Sequence, residues 1–118
     1  MKRDDQDFLD WVSTLPSVLD GTFSEYHNGV GKCVACHVRR ANNSGTSYKP
    51  LYSAVPLTND QHQLQHQQGE MAMVERYMGI PCTEATAKRL IDGMVMGVQH
   101  RYMNQGGHIP EEYRVKYE

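Results

Sequence analysis

The segment "GVGKCVACHVRR", residues 29–40, decides between several folds and chemistries for this chain. Within it, Cys33, Cys36 and His37 form a C-x-x-C-H motif. This motif is compatible with covalent haem attachment, in which both thiols form thioethers and the histidine is an axial ligand. It is equally compatible with half of a zinc site, or with a β-strand that ends at a functional histidine. The surrounding sequence has to discriminate between these three interpretations.

The bulk properties of the chain describe one small folded domain. The sequence has 118 residues, of which 39% are hydrophobic and 22% charged, and this composition disfavours disorder. No apolar run approaches the length of a membrane span, and the start "MKRDDQDFLDW" lacks the apolar stretch of a signal peptide. We therefore expect a cytoplasmic protein with no membrane partner. The formal net charge of −2 means that any site for a polyanion must be a local patch.

Periodicity and turn signals in the first half of the chain predict a helix followed by strands. Residues 4–15 carry apolar side chains at helical spacing, and Pro16 ends the pattern. The stretch "TFSEYHNGVGKCVACHV", residues 22–38, predicts two strands around a turn at Asn28-Gly29, with His37 at the end of this hairpin. A polar loop and the short strand "SAVPL" then follow.

The second half of the chain is predicted to be helical. Thr58 and Gln61 form a capping box that begins a helix, and Gly69 ends it. A second helix follows over about 70–78, and a third begins near Thr83 with an apolar stripe at helical spacing. The order of helix, hairpin, loop and helices predicts an α+β fold.

A zinc site can be assembled from two pairs of residues. Cys33 and Cys36 supply two thiolates, while His62 and His66 lie four residues apart on one face of the capped helix. Cysteines three residues apart on a regular strand point to opposite faces, however, so both could bind only if the chain bent into a knuckle. The glycine typical of such a knuckle is absent after Cys36.

Several short motifs occur in order along the chain, namely "ACHVRR", "GTSYKP", "AVPLTNDQHQLQH" and "QGE". In these motifs the sequence resembles the small HNH endonucleases of phages and prophages, including the phage recombination-enhancement nucleases. The resemblance extends over about 8–79. It implies a ββα-metal core, a β-hairpin plus a metal-binding helix, over about 16–70. Additional flanking helices, including a helical extension over 70–118, would complete a single domain spanning 1–118.

The resemblance also implies roles for individual residues. His37 corresponds to the catalytic histidine, and His62 and His66 correspond to metal ligands on the helix. Cys36 is a candidate third ligand, because related ββα-metal nucleases often carry Asp or His at the position before the base; a small buried thiol is the alternative. Basic side chains beside the site would contact phosphate groups, and these are Arg39, Arg40 and Lys49.

The chain departs from the family at the structural zinc site. Where the relatives have P-C-x-x-C, this chain has "PSVLD", residues 16–20, and where they have L-C-x-x-C-H it has "LTNDQH", residues 57–62. All four cysteines are thus replaced, and we expect the hydrophobic core and the capping box to take over their stabilising role. An aspartate that the family carries shortly after K-P also has no counterpart here.

Taken with its departures, the resemblance implies a metal-dependent endonuclease that hydrolyses phosphodiester bonds of DNA in a bacterial host cell. It would use one divalent ion, and imidazole ligands favour zinc, nickel or manganese over magnesium. A recombinase or another protein partner is compatible with this role. Two alternatives stay open, namely a zinc-stabilised nucleic-acid-binding module that does not cleave, and a c-type haem protein.

Overall fold

The computed structural model describes residues 5–38 and 51–115. Within these residues the chain forms three α-helices, four short strands and a 3-10 turn, so the predicted α+β class is confirmed. Strand β1 pairs antiparallel with β2, and β3 pairs antiparallel with β4. The elements in chain order are α1 (Gln6–Val12), β1 (Glu25–His27), β2 (Val30–Lys32), β3 (Val34–His37), β4 (Ala54–Leu57), α2 (Asn59–Met78), α3 (Glu84–Asn104) and the 3-10 turn (Glu111–Tyr113).

The first hairpin turns where the sequence predicts it. His27 pairs with Val30, so Asn28 and Gly29 form a two-residue loop. Both loop residues have positive φ, 54° and 81°, which is the conformation of a type I′ turn and the reason an Asn-Gly pair favours this position. The Asn28-Gly29 hairpin is therefore confirmed.

The strand that ends at His37 belongs to a different hairpin from the predicted one. Strand β2 ends at Lys32, because the backbone N–H of Cys33 donates to the carbonyl of Ser13 at 2.9 Å instead of continuing the ladder. The chain then begins β3, whose partner is β4, with His37 opposite Ala54. The prediction that one hairpin around Asn28-Gly29 delivers His37 is thus wrong. The strand predicted from "SAVPL" is confirmed as β4 and supplies the partner.

Helix α2 begins and bends at the predicted residues. The Thr58 side chain accepts the backbone N–H of Gln61, and the Gln61 side chain accepts the backbone N–H of Thr58, which completes the capping box. Gly69 has φ 90° and ψ 179°, a conformation that glycine adopts readily, and it divides α2 into two helical segments. The predicted stop and restart of the helix at this glycine are confirmed.

One hydrophobic cluster extends from Phe8 to Val115. Helix α1 packs against β3 and β4, while α3 packs against α2 and β4. The helices predicted as a carboxyl-terminal extension therefore pack into the same core as the strands. No helix among the described residues is long and apolar enough to cross a membrane. The fully buried apolar side chains of the helices are Phe8 and Val12 of α1, Met73 and Val74 of α2, and Ala87, Ile91 and Val95 of α3.

A polar network, buried at Ser17 and Gln61, joins the loop after α1 to the first turn of α2. The hydroxyl of Ser17 donates to Gln61 Oε1 at 2.6 Å, and Gln61 Nε2 donates to Asp20 Oδ2 at 3.0 Å. Thr58 completes the network, because its N–H donates to the same Gln61 Oε1 at 3.0 Å. The Gln61 side chain is fully buried, so its amide depends on these partners.

These four residues are the ones that the sequence resemblance aligns with zinc cysteines. Ser17 and Asp20 are aligned with the first pair, and Thr58 and Gln61 with the second. The expected capping box is thus one half of a larger hydrogen-bonded cross-link. Burial raises the pKa of Asp20, but hydrogen bonds from Thr22, Gln61 and Ser17 outweigh it and hold the pKa below its ordinary value.

We predict that Gln61→Ala lowers the free energy of unfolding by about 1 to 3 kcal/mol, because it empties a buried position and removes the hydrogen-bond partner of the buried Ser17 hydroxyl. Denaturant unfolding followed by circular dichroism measures this change. Gln63→Ala, an exposed position on the same helix, is the matched control and should change the stability little. Equal effects of the two substitutions would contradict a cross-linking role for Gln61.

Candidate functional site

His37 and His66 line the same cleft at the end of β3. The cleft has a volume of about 300 Å³ and is also lined by Gln65, Gly69 and Glu70. Side chains alternate between the two faces of a strand, so the register that buries Cys36 turns His37 to the other side. Gly69, at the bend of α2, also lines the cleft. The structure thus brings two of the predicted site residues together.

A buried carboxylate contacts the predicted catalytic histidine. His37 Nε2 lies 3.3 Å from Asp5 Oδ2, and the side chains are 15% and 0% exposed respectively. The same oxygen accepts the backbone N–H of Tyr52 at 3.1 Å. Sequence reasoning missed Asp5, because the only local signal, an acidic residue before a helix, is typical of ordinary helix caps.

Tyr52 is held in an unusual backbone conformation beside this pair. Its φ is 62°, in the left-handed region that a tyrosine rarely adopts. Its carbonyl accepts a hydrogen bond from Gln99 Nε2 at 2.7 Å, and the same nitrogen donates to the carbonyl of Tyr113 at 2.9 Å. Asp5, before α1, and Gln99, in α3, therefore both constrain the backbone of Tyr52.

His62 and His66 form the pair that the sequence predicts on α2. Their Nε2 atoms lie 2.7 Å apart, so one ring donates its N–H to the other. Burial, and then the charge of His66, lower the pKa of His62, which favours the neutral imidazole that a metal ion requires.

The histidine pair fits two ligand positions of one metal ion. Two imidazole nitrogens at about 2.1 Å from a tetrahedral ion lie about 3.4 Å apart, so the rings would have to separate by about 0.7 Å to admit one. Within residues 5–38 and 51–115, no group of three or more His, Cys, Asp or Glu side chains is arranged to hold a metal. An ion held by this pair would take its remaining ligands from solvent or substrate oxygens.

Cys36 lies in the hydrophobic core and does not face the cleft. Its side chain is 2% exposed, and its thiol donates to the carbonyl of Val34 at 3.6 Å. Burial, and then the neighbouring Cys33, raise its pKa to about 12, which opposes the thiolate that a metal would need. These observations favour the packing role for Cys36 over the role of third ligand.

Cys33 is also poorly placed for the zinc and haem alternatives. Its thiol is 7% exposed and donates to the carbonyl of Thr22 at 3.5 Å, and burial raises its pKa. A zinc site from both cysteines and the histidine pair would require two buried thiols to ionise and leave the core. Attachment to a haem would require both sulphur atoms to reach the surface. Both alternatives are therefore unfavourable in this fold.

The candidate phosphate-contacting residues Arg39, Arg40 and Lys49 lie outside the described residues. They belong to the connection between β3 and β4, and His37 is the second-last described residue before it.

No protein-family model, curated protein or solved structure matches this chain. The functional assignment therefore depends on the motifs and on the residues that meet at the cleft.

We predict that Cys33 and Cys36 resist alkylation in the native protein at pH 8, whereas the half-buried Cys82 reacts. A thiol of pKa about 12 is ionised in about one molecule in ten thousand at this pH, and burial further limits access to the sulphur. Iodoacetamide labelling followed by peptide mass spectrometry measures the rates. All three cysteines should react in guanidinium, and rapid native labelling of Cys36 would restore it as a candidate ligand.

Proposed function

We propose that the chain is a metal-dependent endonuclease of the HNH type that hydrolyses DNA, with His37 as the general base. The observation that carries the proposal is the cleft in which His37 meets His66, one half of the histidine pair on α2. A base on a strand end and ligands on the following helix are what a ββα-metal site requires. Here β3, β4 and α2 follow one another in that order.

The polar network gives independent support to the family resemblance. The sequence motifs align Ser17 and Asp20 with one cysteine pair, and Thr58 and Gln61 with the other. The two pairs are about 40 residues apart, yet their side chains are hydrogen-bonded to one another. Positions that hold a common metal in the family should converge in space, and these four do.

The proposed reaction begins with a water molecule in the cleft beside His37. The neutral imidazole of His37 accepts its proton, and the resulting hydroxide attacks the phosphorus of the scissile phosphodiester. The bond from phosphorus to the 3′ oxygen breaks, and the leaving oxygen takes up a proton from solvent. His62 and His66 would hold one divalent ion, which supplies Lewis-acid stabilisation of the phosphate charge when bound. The basic residues Arg39, Arg40 and Lys49 would neutralise neighbouring phosphates and position the strand.

We predict that His37→Ala and His66→Ala both cleave supercoiled plasmid more slowly in a nicking assay, but that only His66→Ala also loses metal binding. His37→Ala should bind Zn²⁺, Mn²⁺ or Ni²⁺ and DNA like the parent chain but cleave about two to four orders of magnitude more slowly, because a positioned base is lost. His66→Ala should also lose the ion, measured by calorimetry, and excess metal should restore part of its activity. His100→Ala, an exposed histidine of α3, is the control and should cleave normally.

Undiminished cleavage by His37→Ala would refute the role of this residue as base.

A second candidate function is a nucleic-acid-binding module without cleavage, favoured by the absence of a third protein ligand from the described residues. That module would bind DNA in a salt-dependent manner and leave plasmid intact with every metal tested.

We also predict that EDTA abolishes cleavage while leaving the helical circular dichroism and the melting temperature nearly unchanged. The reason is that the cross-link at the start of α2 consists of hydrogen bonds, whereas zinc fingers obtain their folding energy from the metal. Thermal melts with and without EDTA test this, and a loss of fold on chelation would instead favour a structural zinc.

A further inference from the structure

We infer that Asp5 is a positioning residue for His37. Its buried carboxylate accepts the Nε2–H of the imidazole, so that Nδ1 is the nitrogen that takes up a proton. The inference deepens the proposed function, because the role of His37 as base rests on that proposal. The hydrogen bond itself can be measured without any cleavage.

The carboxylate of Asp5 does not make the helix-capping hydrogen bond that its sequence position predicts. Asp5 is the N-cap residue of α1, where an aspartate side chain ordinarily accepts an N–H of the first turn. It makes no such capping bond, and instead contacts His37 Nε2 at 3.3 Å and the N–H of Tyr52 at 3.1 Å. Losing a helix cap costs roughly 1 kcal/mol of stability. The contacts of Asp5 with His37 and Tyr52 offset that cost in this fold.

The surroundings of Asp5 keep its carboxylate in place. The backbone N–H of Tyr52 donates to Asp5, and the backbone carbonyl of Tyr52 accepts from Gln99. The backbone of Tyr52 is therefore held on both sides. Asp5 and Gln99 are 0% and 1% exposed, so water does not compete for these groups. A fixed carboxylate in turn limits the rotation of the imidazole that it contacts.

The contact determines which ring nitrogen can act as base. A neutral imidazole carries one proton, and a carboxylate can only accept, so a proton on Nε2 leaves a lone pair on Nδ1. The water proton then moves to Nδ1 and Nε2 keeps its own proton, so the Asp5 carboxylate lies beside the imidazolium. The buried negative charge stabilises this cation, as in the arrangement of serine hydrolases.

Asp5→Asn tests the role of the charge with little change in shape. The asparagine oxygen can still accept from Tyr52, so melting temperature and KM for plasmid DNA should stay as in the parent chain. We expect kcat to fall about ten- to a hundredfold, because the negative charge that stabilises the imidazolium is lost. Asp7→Asn removes the same charge from an exposed position of α1 and should leave kcat unchanged. An unchanged kcat in Asp5→Asn would overturn the inference.

The double variant Asp5→Asn/His37→Ala separates positioning from a general structural role. If Asp5 acts through His37, the double variant cleaves at the rate of His37→Ala alone, because the two losses are not additive. A further loss of tenfold or more in the double variant would show that Asp5 acts elsewhere and would overturn the inference.

Nitrogen-15 NMR of the full chain examines the hydrogen bond directly. Two-bond correlations should show the His37 proton on Nε2, in slow exchange with solvent in the parent chain and in fast exchange in Asp5→Ala. A proton on Nδ1, or equal exchange in both proteins, would overturn the inference. Because this measurement needs no cleavage, a parent chain that never cuts DNA would refute the nuclease proposal alone and leave the Asp5–His37 contact separately tested.

Discussion

The antiparallel pairing of β3 with β4 is the constraint on which the site depends. Its register places His37 opposite Ala54 and Val34 opposite Leu57, and only Thr58 separates β4 from α2. The short connection fixes where the first turns of α2 lie relative to the end of β3. A slip of one residue would turn His37 into the core and Cys36 toward the cleft, so the burial of the apolar face and the placement of His37 are decided together.

A hydrogen-bonded network fixes the start of α2 against the loop after α1. Gln61 joins Ser17, Asp20 and Thr58 through its two amide atoms, and each hydrogen bond lies between 2.6 and 3.0 Å. Its two buried members, Ser17 and Gln61, stabilise the fold only while they are paired, since an orphaned buried polar group costs about 1 to 3 kcal/mol. None of these hydrogen bonds involves a metal ion.

The segments that flank the ββα unit contribute to the site as well as to stability. Asp5 reaches His37 from the start of α1, and Gln99 of α3 holds the Tyr52 peptide and receives the N–H of Val115 at 2.8 Å. The cluster of aromatic rings around Tyr52 includes Phe8 and Tyr113, whose ring centroids lie 5.6 and 5.5 Å from its own. Flanking helices that pack in this way orient the groups beside the proposed base.

The sequence alone determined the features that depend on neighbours within a few residues. The Asn28-Gly29 turn, the capping box of Thr58 and Gln61, and the break at Gly69 follow from local backbone preferences and are found where predicted. Tertiary structure alone decided the partner of β3, the burial of Cys36 and the contact of Asp5 with His37. The Asp5–His37 contact joins residues 32 positions apart, and that of Asp5 with Tyr52 joins residues 47 apart. No local pattern encodes such pairs, because they form only when separate elements bury their apolar faces against one core.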